Sequence, residues 1–335
     1  MARTRRFTCG APRGFAVADD GSRVLFIRST GGSDPVNALW SLDPIDGTER
    51  LVADPVALLG DAPLDVPDGE AARRERTREI AGGIVGFDGL ADLSRVCFAL
   101  SGRVFVVDTA EPRPVELPST GAAVDPRLSP DGASVAYLSG RTLRVTGSGG
   151  DRRVIGTASE TVSWGAAEFV AAEEMGRTRG HWWAPDSGAL LVARVDVSPV
   201  SEWWLAASVD PTAEPQAIRY PSAGTSNADV ALAVVSLSGG VVDVDWRRGE
   251  FEYLAHVSWP QRISESGFGS KNPTLVVQSR DQKTLAVLIA DPATGAPRAP
   301  NPPRCRGPAG EPRRLLRWPG RIWCPGCPGG GGSPC

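Results

Sequence analysis

Ser129-Pro130-Asp131-Gly132-Ala133-Ser134-Val135-Ala136-Tyr137 sets a proline–aspartate–glycine turn and one polar residue directly ahead of an apolar strand. Proline fixes its own φ for a turn, aspartate bonds its own backbone locally, and glycine tolerates positive φ. Clear copies stand at Asp19-Asp20-Gly21-Ser22-Arg23-Val24-Leu25-Phe26-Ile27 and Ala184-Pro185-Asp186-Ser187-Gly188-Ala189-Leu190-Leu191-Val192, with weaker ones at Asp92–Phe98 and Asp281–Val287. Several are followed by a second strand ending in aspartate, as in Ala38-Leu39-Trp40-Ser41-Leu42-Asp43 and Val104-Phe105-Val106-Val107-Asp108. From Phe15 to about Ala290 short β-branched or aromatic runs alternate with turn clusters, which predicts many short antiparallel strands. The fold class is all-β. Repeated four-stranded sheets at this density predict a β-propeller, whose radial packing covers faces that a lone sheet leaves wet. The spacing is uneven, 39 residues from Asp92 to Asp131 and 55 from Asp131 to Asp186, so insertions interrupt the blades. An array of β-sandwiches stays open on pattern alone.

The chain has 335 residues, 41% of them hydrophobic, enough for a sizeable core. Its 36 basic and 39 acidic residues leave a net charge of -3, so no field gathers polyanions and no nucleic-acid partner is expected. The basic start Met1–Cys9 leads into no apolar run of signal-peptide length, and no later stretch approaches a membrane span, so a cytoplasmic protein without a membrane partner is expected. Cys9 and Cys97 lie in the patterned region, whereas Cys305, Cys324, Cys327 and Cys335 crowd the last 31 residues, which is no disulfide framework.

Composition divides the chain into 1–295, the strand-rich domain, and 296–335. The latter holds ten of the 29 prolines, eight glycines and seven arginines, with no aspartate and no valine. Such a stretch cannot keep ladder hydrogen bonds or offset ordering entropy, so a disordered tail is expected, of the kind a reading-frame shift produces. Cys324-Pro325-Gly326-Cys327 has the spacing of half a zinc site, but neither His181 nor His256 is near it in sequence, and no metal is expected.

One segment breaks the strand rhythm: Gly69–Glu79 is built of helix formers with mixed charges and predicts a short, exposed helix whose charges pair locally. A second departure is Trp164–Asp186, in which Glu173-Glu174 precedes a polar turn and then His181-Trp182-Trp183-Ala184-Pro185-Asp186. Two fixed carboxylates repel one another unless a cation is supplied, and they can hold a primary ammonium through charge-assisted hydrogen bonds. Taken alone, the pair reads as two solvated surface carboxylates.

Its surroundings resemble the dipeptidyl peptidase IV family of prolyl oligopeptidase-type serine peptidases, in bacterial form. The paired Glu173-Glu174, the Trp182-Trp183 pair and the later Tyr220-Pro221-Ser222-Ala223-Gly224-Thr225-Ser226-Asn227 stand in the family's order, and the likeness runs from residue 5 to about 292. The resemblance implies an amino-terminal portion of an eight-bladed propeller. Glu173 and Glu174 would grip the free α-amino group of a peptide, and release of dipeptides after proline or alanine would follow. It also implies that the Arg74-Glu75-Arg76-Thr77-Arg78 segment supplies an arginine to the substrate carbonyl, with Arg76 and Arg78 the candidates, and that no cofactor is used. The family's nucleophile elbow, Gly-x-Ser-x-Gly, occurs nowhere in this chain, so no catalytic residue is assigned and the hydrolase domain of the same gene is an expected partner alongside peptide substrates. A non-catalytic propeller that binds a partner is the alternative. First and last blades without further neighbours would expose apolar faces that invite association.

Overall fold

The aspartate turn recurs five times with the same hydrogen bonds. The N–H of Gly21, Leu93, Gly132, Ser187 and Gln282 donates to the carbonyl three residues back, at 2.8–3.0 Å. In each copy the aspartate just ahead accepts the N–H two residues on: Asp20 from Ser22, Asp92 from Ser94, Asp131 from Ala133, Asp186 from Gly188 and Asp281 from Lys283, at 2.9–3.1 Å. The residue after that aspartate sits in the left-handed region, φ 53–71°, whether it is glycine or not. That conformation reverses the chain into the next strand.

The structure, a computed structural model, describes residues 4, 8–76, 78–206, 214–260, 272–298, 316–318 and 321–323. Five sheets of four or five strands follow one another along the chain. The first contains β1 (Arg13–Val17), β2 (Val24–Ser29), β3 (Val36–Leu42) and β4 (Glu49–Ala53); helices α1 (Pro55–Leu59) and α2 (Asp68–Arg76) follow, and β5 (Gly82–Gly83) returns parallel to β3. The second holds β6 (Asp88–Gly89), β7 (Arg95–Leu100), β8 (Arg103–Asp108) and β9 (Val115–Leu117), and the third β10 (Ala123–Leu128), β11 (Ser134–Ser139), β12 (Thr142–Gly147) and β13 (Arg152–Ile155). The fourth is built from β14 (Val162–Trp164), β15 (His181–Trp183), β16 (Ala189–Asp196), β19 (Asp229–Ser236) and β20 (Val241–Val244), with helix α3 (Phe169–Glu174) between β14 and β15. A separate hairpin, β17 (Glu202–Leu205) with β18 (Gln216–Arg219), interrupts this sheet and holds Trp203 and Trp204 half or more exposed. The fifth comprises β21 (Tyr253–Ser258), β22 (Thr274–Gln278), β23 (Leu285–Ala290) and β24 (Pro297–Arg298).

β2, β7, β11 and β16 each bury consecutive side chains, and so both faces of the strand. On β7, Val96 and Phe98 join Leu25, Ile27 and Leu39 of the first sheet, while Cys97 points the other way to Val135 and Tyr137 of the third. Leu138 and Val145 then meet Trp183, Leu190 and Val192, and Leu191 and Val195 meet Leu275 and Leu288 of the fifth sheet. Four apolar clusters thus join five consecutive sheets face to face, the radial packing of a propeller. Polar stitches reinforce the junctions: Leu128 N–H donates to Asp88 Oδ2 at 2.9 Å, Asp131 N–H to Ser187 Oγ at 3.1 Å, and Trp183 Nε1 to the Arg127 carbonyl at 2.9 Å.

Two expectations need adjusting. The predicted helix at 69–79 forms as α2, but Glu70 on it is buried, holding Arg73 and Arg74, so it is not a freely solvated insertion. Of the stretch 296–335, expected to lack strands, Pro297–Arg298 completes the fifth sheet as β24, and β25 (Leu316–Trp318) pairs with β26 (Arg321–Trp323). The rest of that stretch, Cys324 and Cys327 included, lies outside the described residues. No described helix is long and apolar enough to cross a membrane.

Candidate functional site

One edge of the fourth sheet is split. β14 pairs with β16 at Asp196, Val195 and Arg194, and β15 pairs with the same edge at Val192, Leu191 and Leu190. Between them residues 165–180 leave the sheet and come back. The neck of this excursion is closed by Gly165 N–H donating to the Ala193 carbonyl and Ala193 N–H to the Gly180 carbonyl, both at 2.8 Å. A Cβ at Gly180 would lie 2.3 Å from the Ala166 carbonyl oxygen, so only glycine lets the two limbs come this close.

α3 fills the excursion. Glu168 caps it, its Oε1 accepting the Ala171 N–H at 2.8 Å, and the Phe169 ring stands edge-on to Tyr220 at 5.2 Å. Glu173 and Glu174 are the helix's last two residues, both exposed, and no basic residue shares that last turn. Neither carboxylate has a hydrogen-bond or ion-pair partner among the described residues. Two carboxylates at the carbonyl end of a helix reinforce one another's negative potential, an arrangement that a cation relieves.

Behind the pair the chain turns inward. Arg177 is 4% exposed. Its Nε donates to the Leu254 carbonyl of β21 at 2.8 Å and its Nη1 to the Arg179 carbonyl at 3.2 Å, while Nη2 lies 3.5 Å from Glu168 Oε1. Burial draws the Arg177 guanidinium below its usual pKa, against the opposing pull of Glu168. Burial, then the charge of Arg127, brings Arg179 down to about 10. His181 is fully buried, its Nδ1–H donating to the Gly165 carbonyl at 2.9 Å, and burial presses its pKa down to about 4.

The arginine-bearing helix is linked to the base of this excursion through charges. Glu70 takes Arg73 in a two-pronged pair at 2.7 and 2.8 Å and Arg74 Nε at 2.8 Å. Glu70 and Arg73 line a cavity of about 70 Å³ together with Phe87, Asp125, Pro126 and Arg127. Room on this scale suits water, not a peptide. Asp125 stands at φ 50° ahead of Pro126, at a break in the β10–β11 register, and pairs with Arg127 Nη2 at 2.5 Å. Burial alone would raise the Asp125 pKa, but Arg127, His181 and Arg179 outweigh it and hold the carboxyl below its ordinary value. A run of charges, Arg73, Asp125, Arg127 and Arg179, therefore links α2 to the base of the excursion.

Of the sequence candidates, Glu173 and Glu174 are brought together on α3. Arg76 ends α2, its side chain outside the described residues, and Arg78 follows at φ 54°, exposed. No described contact joins either arginine to the pair. His256 is an exposed residue of β21. A larger cleft of about 380 Å³ opens where the fourth and fifth sheets meet, lined by Asn227, Asp229, Trp246, Arg248, Phe251 and Glu252. Sequence reasoning missed Glu168 and Arg177. A signal existed for the first, a carboxylate three residues ahead of the Ala171 amide at the start of an Ala-rich run.

Comparison with known proteins adds the family. The sequence profile described as the dipeptidyl peptidase IV (DPP IV) N-terminal region matches residues 93–304. Dipeptidyl peptidase 8 of Mus musculus is 24% identical over 265 residues, 67% of this chain and 29% of that protein. The crystal structure of Porphyromonas gingivalis dipeptidyl peptidase 4 superposes with a TM-score of 0.62 at 17% identity, over 88% of this chain and 40% of that one. A putative dipeptidyl aminopeptidase IV from Bacteroides ovatus gives 0.55 at 18% identity, over 94% and 41%. At such identities the two structures speak for the fold. The chain spans well under half the length of each of these relatives.

Proposed function

The chain belongs to the family of the dipeptidyl peptidase IV N-terminal region, and from that premise we propose that it is the substrate-positioning part of a serine dipeptidyl peptidase. The observation that carries this reading is the exposed Glu173-Glu174 pair at the carbonyl end of α3, on an excursion from one edge of a blade. An α-ammonium offers three N–H donors, and two carboxylates without other partners take them in charge-assisted bonds. Holding that amine fixes where the chain begins. The second peptide bond then falls about 7 Å further on, at roughly 3.5 Å per extended residue. A longer or acylated amino terminus has no place in such a socket, so dipeptides, after proline or alanine, are the expected product. Positioning of this kind contributes by orientation.

Peptide hydrolysis itself belongs, in this reading, to a Ser-Asp-His domain that the 335 residues do not contain, and the chain alone is inactive. Arg76 or Arg78 is assigned to the substrate carbonyl. A reducing, cytoplasmic setting is part of the proposal and agrees with the free thiols of Cys9 and Cys97.

The test is a titration of the chain with an Ala-Pro-initiated pentapeptide, amino terminus free or acetylated. The free amine should bind more tightly. Glu173→Gln and Glu174→Gln should each cut that preference about tenfold or more, since a hydrogen bond to a charged group is worth about 1.5–3 kcal/mol. A parent chain that treats the two peptides alike would overturn the reading.

A further inference from the structure

We infer that Arg177 is the positioning residue of the amine socket, a buried guanidinium that sets the Glu173-Glu174 pair against the fifth blade through Glu168 and the carbonyls of Arg179 and Leu254. The inference rests on the reading of that pair as an amine socket.

A six-residue helix does not hold itself in place in water, and α3 buries little apolar surface beyond Ala171 and the Phe169 ring edge against Tyr220. What fixes it is polar. Glu168 Oε1 caps the helix at one end and faces Arg177 Nη2. Arg177 N–H closes the other end on the Ala171 carbonyl at 2.9 Å. The same guanidinium grips the returning limb at Arg179 and, 77 residues away in sequence, the Leu254 carbonyl of β21. Cap, neck and neighbouring blade thus meet at one side chain, whose own backbone N–H closes the helix end. Its direction is opposite to that of the pair: three residues after Glu174, Arg177 turns inward while both carboxylates face solvent.

This geometry calls for a guanidinium and not merely for a cation. The acceptors lie in divergent directions, which a planar fork with five donors can serve and a lysine ammonium, a single point on a flexible stem, cannot. Burying a charged side chain is costly, the more so here because Nη2 makes no hydrogen bond among the described residues and has only the ion pair with Glu168 at 3.5 Å, so the arrangement is expected where its placement is needed.

The experiment uses the full 335-residue chain and the free and acetylated Ala-Pro pentapeptides, with three readouts: the ratio of the two affinities, the thermal midpoint, and hydrogen exchange of amides in 166–180. Variants are Arg177→Lys, Arg177→Met and Glu168→Gln, with Glu173→Gln and Glu174→Gln as references. Arg177→Lys should lower the affinity ratio at least fivefold and speed exchange in 166–180, with the midpoint within a few degrees of the parent. Glu168→Gln should move the ratio in the same direction. A ratio unchanged in Arg177→Lys and Arg177→Met, while the Glu173 and Glu174 variants lose it, overturns the inference and leaves the socket standing. A lower midpoint with an unchanged ratio also overturns it, assigning Arg177 to stability alone. A parent ratio near one removes the socket and the inference together.

Discussion

His181 carries a pH dependence whose sign follows from its surroundings. Burial presses its pKa from an ordinary 6.5 to about 4, so between those values the unfolded chain binds a proton that the folded chain refuses. Stability is then complete above pH 6.5 and drains away as pH falls toward 4, by up to about 3 kcal/mol for a shift of this size. Asp125 works in a different window: its folded pKa lies below 3.8, so its contribution is lost only at still lower pH. Denaturant unfolding at pH 7, 5.5 and 4 should show a slope that His181→Gln flattens, and parallel profiles for parent and variant would refute the assignment. Residues differ in how far the sequence betrays them. Glu173-Glu174 is legible because adjacent carboxylates are conspicuous beside a Trp-Trp strand. Arg177 and Glu168 are not, because a charged residue reads as solvated until the fold brings Leu254 to it.

The aspartate turn is the element on which most of the sequence reading turned. Its strand neighbours formed where the pattern put them: β2, β7, β11 and β16 are second strands of their sheets, and only the last copy, ahead of β23, feeds a third strand. The turn's chemistry is local, which is why it was visible. Its left-handed position is glycine in two copies and Leu93, Ser187 or Gln282 in the others. A non-glycine residue there costs roughly 1 kcal/mol, and Gln282 is exposed with no core role. Gln282→Gly should therefore raise unfolding free energy by about 0.5–1 kcal/mol, read by urea titration, and a loss of stability would show that the glutamine makes a contact worth more than the strain. The split edge strand, α3 and the β17–β18 hairpin escaped notice because three-residue strands have no period to detect, and because Trp203-Trp204-Leu205 reads as core although it is exposed.

At the scale of the molecule, four clusters link five blades in sequence, and none of them joins the fifth to the first. The consequence shows in the faces turned away from the neighbours. Phe15 and Val17 on β1 are both more than 60% exposed, and Leu285 on β23 is 56% exposed. The two-sided burial expected of radial packing holds in the middle of the array and fails at its flanks, since a strand's pattern cannot tell which neighbours are present. Phe15→Ser combined with Leu285→Ser should reduce concentration-dependent association in sedimentation, with the thermal midpoint within a few degrees; unchanged association would acquit these faces. The closed neck between Gly165 and Gly180 has a different reach. Both limbs dock on one edge of β16 through backbone hydrogen bonds, so the sheet's register there does not depend on which side chains lie between them. Changes of length or charge within 167–179 are therefore expected to leave the pairing of β14 and β15 with β16 in place.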